Sequence, residues 1–187
     1  SCGMTYQPTT ISDDLTTLPK LPGRVTSSRP ETLEAVAFRS GAALTVLDQL
    51  VNDARYGVPV KLLANRSALS AATATSKLEG RLAREADIRD AYHLTPLGDA
   101  RGPDGDLLAF WRSAVRLRAV EMGETADLAG ADFAGEVGIW LDAGLESART
   151  RGPLAGCSAV LLAVLETDDR AERVACLLSD LVLARAL

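Results

Sequence analysis

Aromatic side chains are scarce in this chain, at 4% of 187 residues. A core short of Phe, Trp and Tyr has to be built from Ala, Leu and Val. Such small side chains favour close helix–helix packing over sheets, which recruit β-branched and aromatic residues. Histidine is almost missing, with His93 alone, and a single histidine with no Ser or Cys nearby assembles no nucleophilic triad. The three cysteines, Cys2, Cys157 and Cys176, are an odd number without tight spacing, which argues against both a disulfide framework and a zinc site. Long apolar runs are absent too. The longest, Cys157–Leu165, is far too short to span a bilayer. The opening residues are polar and lack a signal-peptide core. The expected setting is cytoplasmic, with no membrane contact. Met4 reads as the natural start, so Cys2 carries no weight.

What is present is ordinary for a globular protein. Apolar residues make up 47% and charged ones 24%, so disorder is not expected, and the length is ample for one domain with a core. The net charge of −5 disfavours non-specific nucleic-acid binding. It is unevenly spread, with 15 Lys/Arg against 13 Asp/Glu up to Arg118 and 5 against 12 beyond it. An acidic final third is expected as a solvated face, with a surface for a basic partner as the alternative.

The periodicity predicts an all-α fold, an orthogonal or bundle-like array of about seven helices. Residues 1–27 read as an extended arm and residues 28–187 as a single helical domain, with a possible subdivision near 122–130. The run Ser28–Glu31 fits a capping box with Pro30 in the first turn. It opens a helix to about Arg55, whose stripe of Leu33, Val36, Ala37, Leu44, Leu47 and Val51 is expected to face inward, with Gly41 and Ala42 letting a neighbour close in. A second helix is expected over residues 60–79, ended or bent at Gly80. A third is expected over 82–94, a fourth from about Asp106 after a turn-rich Thr95–Gly105, and a fifth over 131–149. Pro153 opens the sixth. Thr167 is expected to cap the seventh, which keeps its stripe through Val174, Leu177, Leu178, Leu181 and Val182. Because the chain stops inside that pattern, it is expected to continue naturally past Leu187.

The candidate site is the charged stretch after Gly80. Spacings of four put Arg81, Glu85 and Arg89 on one helix face as a ladder of ion pairs. If partly buried, the two guanidinium forks, with Asp90 and His93, form a candidate pocket for a carboxylate or phosphate. The plainer reading is a salt-bridged face. Asp87 and Asp90 are spaced to share a Mg²⁺, but that chemistry needs further acids on a facing helix. His93 sits where an imidazolium favours the helix dipole. Phe110 and Trp111 read as core rather than as a nucleic-acid face, and Gly102–Gly105 reads as turn chemistry, since no G-K-[ST] follows it.

Several blocks together are similar to one bacterial family. They are AFRSGAALTVLDQLV (Ala37–Val51), ALSAATATSKLEGR (Ala68–Arg81), EADIRDA (Glu85–Ala91), GPDGDLLAFWR (Gly102–Arg112) and RVACLLSDLVLAR (Arg173–Arg185). In combination they resemble the domain of unknown function DUF1403 over nearly the whole chain after Leu18. The resemblance implies one unit and supplies no activity, cofactor or catalytic residue. The sequence therefore favours a helical protein-interaction or self-association module, binding a protein partner or a second copy, with no cofactor, no metal and no nucleic acid. The competing reading is a binder or enzyme for a small anionic ligand at Arg81, Glu85, Arg89, Asp90 and His93.

Overall fold

The structure is a computed structural model and describes Gly23, residues 32–117 and residues 122–186. Among the described residues it is all-helical, with eight α-helices, one 3-10 turn and no strand. The expected arm and the Ser28–Glu31 capping box lie outside the described residues. The chain divides into two compact units, Ser1–Leu63 and Ala64–Leu187.

In the first unit, α1 spans Leu33–Asn52. Its cap is Thr32, in extended backbone, whose hydroxyl accepts from the Ala35 N–H at 3.2 Å, so one of the free first-turn donors is satisfied. The helix stops at Asp53. Its carboxylate accepts from the Arg55 N–H at 2.9 Å and folds the 3-10 turn Ala54–Tyr56. Gly57 closes that turn at φ 59, a left-handed conformation that suits glycine. Helix α2, Val60–Leu78, begins here and continues into the second unit.

The expected inward face of α1 is overturned. Leu33 is 79% exposed and Leu47 50%, and Val36, Ala37 and Leu44 are exposed as well. The less exposed edge is the opposite one, Ala35, Arg39, Ala42, Val46 and Leu50. A side chain added at Gly41 would meet nothing within 4 Å. None of the described residues 32–63 is buried, so the described part of this unit shows no core.

The second unit does have one. It adds α3 (Glu85–His93), α4 (Gly102–Ala114), α5 (Met122–Ala129), α6 (Val137–Arg151), α7 (Pro153–Thr167) and α8 (Glu172–Ala186). Ala68 and Ala72 of α2, Ile88 of α3 and Leu107, Leu108, Phe110 and Trp111 of α4 form one apolar cluster. Trp140 and Leu141 of α6, Val160 and Val164 of α7 and Val174, Leu178 and Val182 of α8 form the other. Helix α8 joins them, since its Leu177 belongs to the first cluster.

Small residues set how closely these helices approach. A Cβ built on Gly144 would lie 2.1 Å from Val160 Cγ2, and one on Gly156 would lie 2.6 Å from both the Gly144 carbonyl oxygen and Ala148 Cβ. Helices α6 and α7 therefore cross backbone to backbone. Only Gly152, at φ 97 and ψ 162, separates them, with Pro153 in the first turn of α7. Proline costs nothing there because a first-turn N–H has no helical partner.

Several boundaries differ from expectation. Residues 122–129 form α5, a short helix that raises the count from about seven to eight among the described residues. The Gly102–Gly105 run is the first turn of α4 rather than a loop, since Pro103 is tolerated in that turn. Thr167 does not cap α8. It is the last residue of α7, its hydroxyl donating back to the Ala163 carbonyl at 3.0 Å. Asp168 makes the turn, accepting from the Arg170 N–H at 2.8 Å.

Candidate functional site

The charged stretch starts where α2 stops. Gly80 adopts φ +72, its N–H donates to the Lys77 carbonyl at 3.1 Å, and the Arg81 N–H reaches back to the Ser76 carbonyl at 2.8 Å. This pair of bonds satisfies two carbonyls that the helix end would leave free. It also turns the chain, and residues 81–84 are not helical. Helix α3 begins only at Glu85. The expected ladder of Arg81, Glu85 and Arg89 is therefore not formed, because a spacing of four aligns side chains only inside a continuous helix.

Arg81 instead pairs with its near neighbour Glu79 and reaches across to α4. Its Nη2 lies 2.5 Å from Glu79 Oε2, and its Nη1 lies 3.7 Å from Asp104 Oδ1 on α4. The other Glu79 oxygen accepts from Arg173 Nε of α8 at 2.9 Å. The Glu79 side chain is only 14% exposed. These four residues carry two charges of each sign and tie the end of α2 to α4 and α8. The 3.7 Å contact is an ion pair but too long for a hydrogen bond. Accordingly, Arg81 Nε and Asp104 Oδ1 are buried atoms with no hydrogen-bond partner among the described residues.

The other four candidates lie apart from this cluster. Glu85 is exposed and makes no ion pair among the described residues. Arg89 binds its neighbour Asp90, with Nε 2.9 Å and Nη2 2.8 Å from Oδ1. His93 is the last residue of α3, as expected, and is exposed, its ring meeting Tyr92 edge-on at 4.9 Å. The Tyr92 ring also lies beside two guanidiniums, Arg101 at 4.9 Å and Arg112 at 5.0 Å. Sequence reasoning missed Asp104 and Arg173 altogether, since nothing in local spacing points to a partner 94 residues away.

The Asp87–Asp90 step does not stand open to a cation. The Arg84 guanidinium clamps Asp87 at 2.9 and 3.0 Å, and the Arg84 N–H donates to the same carboxylate at 3.2 Å. Those side-chain hydrogen bonds, with the backbone one, hold the Asp87 carboxyl below its ordinary value of 3.8. They also stabilise the start of α3, where a carboxylate suits the helix dipole. Among the described residues no group of three or more His, Cys, Asp or Glu is arranged to hold a metal ion. Two open clefts, about 490 Å³ beside Ser113, Arg116, Glu124 and Asp127 and about 560 Å³ beside Asp48, Asn52, Asp53 and Tyr56, are lined by none of the five candidates. No described helix is long and apolar enough to cross a membrane.

Phe110 and Trp111 are core residues, as expected, at 8% and 4% exposure. The buried Trp111 Nε1 donates to Thr75 Oγ1 at 3.0 Å. Cys157 and Cys176 are free and half-buried, and burial first, then the nearby Asp180 carboxylate, pushes both thiols above the ordinary 9.0.

Among the described residues the protein is all-helical, and the Glu79, Arg81, Asp104 and Arg173 cluster joins helix to helix. The chain belongs to the family described as a protein of unknown function, DUF1403, whose model matches residues 9–187. No curated protein and no solved structure matches it.

Proposed function

We propose that this protein is a helical interaction module, and that the exposed apolar face of α1 is its docking surface. One observation carries the reading. Residues 32–63 hold no buried residue, yet α1 presents Leu33, Val36, Leu44 and Leu47 to solvent along one face. Scattered exposed leucines are normal, but a contiguous stripe of them marks an interaction site. Most helical stability comes from packing an apolar face, so α1 gains its stability when that face is covered.

The alternative, a small anionic ligand held by residues 81–93, has less support. Arg81 and Arg89 each already hold a carboxylate, and a basic pair saturated by acids attracts an anion weakly. The docking reading is tested by placing a photo-cross-linking amino acid at position 44 in cells, with position 74 on α2 as a control. We expect a discrete protein adduct from position 44 and none from 74. Absence of any adduct from position 44 contradicts the reading.

A further inference from the structure

We infer that Arg101 and Arg112, gathered over the Tyr92 ring, form a binding site for a soluble phosphate monoester. The site lies wholly in the second unit and is independent of the α1 face.

The crossing of α3 and α4 builds it. A Cβ on Gly105 would lie 2.6 Å from Arg101 Cβ and 3.0 Å from the Ala91 carbonyl oxygen, so α4 meets the backbone of α3 at Ala91. Tyr92 is the next residue. Arg101, Gly105 and Arg112 follow one another at steps of 4 and 7, which keeps them on one face of α4. The Tyr92 ring is thus laid along that face, with the Arg101 guanidinium 4.9 Å from its centre and the Arg112 guanidinium 5.0 Å from it.

Two positive charges therefore stand at most roughly 10 Å apart, about one screening length at ordinary salt. The ring attracts both, but no acid neutralises them. Arg81, Arg84, Arg89 and Arg173 each hold a carboxylate. Arg101 and Arg112 form no ion pair among the described residues. Three acids of α3 and α4 are engaged elsewhere, since Asp87 holds Arg84, Asp90 holds Arg89 and Asp104 faces Arg81. The Arg112 Nε is moreover buried without a hydrogen-bond partner, and a buried donor left unmet is destabilising. Arg112 gives up no hydrogen bond at Nε when it swings out to an anion, and gains one there.

Charge selects the ligand. A carboxylate carries one charge, and a single guanidinium fork saturates it. A phosphate monoester carries about two negative charges at neutral pH and offers three acceptor oxygens, enough for both forks to close on one group.

Calorimetric titration of the full chain with phenyl phosphate, at low salt so that the charges are unscreened, reads the site. We expect saturable binding with a Kd of about 1 mM or below, and none with benzoate at equal ionic strength. Arg101→Gln and Arg112→Gln should each weaken binding roughly tenfold. Arg66→Gln, which removes an exposed charge of α2, should leave it unchanged. Where a variant fails to fold, the unaltered protein decides. The side-chain Nε–H resonances of Arg101 and Arg112 should move with phenyl phosphate, while that of Arg84, clamped on Asp87, stays in place.

Absence of saturable binding into the millimolar range overturns the inference. So does equal affinity for benzoate, equal loss in Arg66→Gln, or unmoved resonances at Arg101 and Arg112. Cosedimentation with phosphatidic acid vesicles and no response to phenyl phosphate would transfer the group to a lipid headgroup and overturn the soluble ligand.

Discussion

Thr75 and Trp111 meet where a polar contact is worth most, inside an apolar cluster. The Trp111 N–H has only donor character, and Thr75 Oγ1 accepts it while its own hydroxyl donates to the Ala71 carbonyl at 2.9 Å. Thr75→Val keeps the shape and removes the acceptor, leaving a buried donor unmet. We expect a loss of about 1–3 kcal/mol in urea unfolding, and a much smaller further loss when Trp111→Phe is added to it. A full additive loss in the double variant would show that the bond contributes nothing. A second prediction concerns protons. Arg84 lowers the Asp87 value in the folded protein, so its contribution is complete above the ordinary value of 3.8. It is lost as pH falls through the lowered one. Asp87→Asn should therefore reduce stability at pH 7 and make no difference near pH 2, measured by thermal unfolding across that range. The raised thiols act in the opposite direction. Cys157 and Cys176 stay protonated through neutral pH, so both should react slowly with a disulfide reagent until the pH passes well above 9.0.

At the scale of elements, helix crossing distances are set by glycine. Gly144→Ala or Gly156→Ala would push a methyl into Val160 or into the Gly144 carbonyl. The crossing cannot open without moving the cluster of Ala148, Val160 and Val182. We expect each to cost about 1–3 kcal/mol in chemical denaturation, whereas Gly123→Ala, with nothing within 4 Å, should cost nothing. The same elements show what a sequence can and cannot reveal. Pro153 announced the start of α7, and the period-3.6 stripe of Val174, Leu177, Leu178 and Val182 located the buried side of α8, because both signals are local. The ladder at Arg81 was not recoverable. Its spacing assumes a helix that includes Arg81, whereas residues 81–84 are not helical and α3 begins only at Glu85. Helix α5 was invisible for another reason: eight residues with a glycine carry too little periodicity to stand out. Glu79 shows the remaining limit, since its partner Arg173 is brought to it by the packing of α8.

At the scale of the molecule, the two units differ in kind. The second has two apolar clusters sharing α8. The first has an amphipathic helix whose apolar side faces water. Periodicity told which side of α1 was apolar; whether anything within the chain covers that side is a question of packing, and no pattern of residues 33–51 answers it.

The central claim is that the apolar stripe of α1 is a docking surface, and photo-cross-linking from position 44 in cells tests it most directly. The account requires a discrete protein adduct from position 44 and none from position 74. No adduct from position 44 would contradict it.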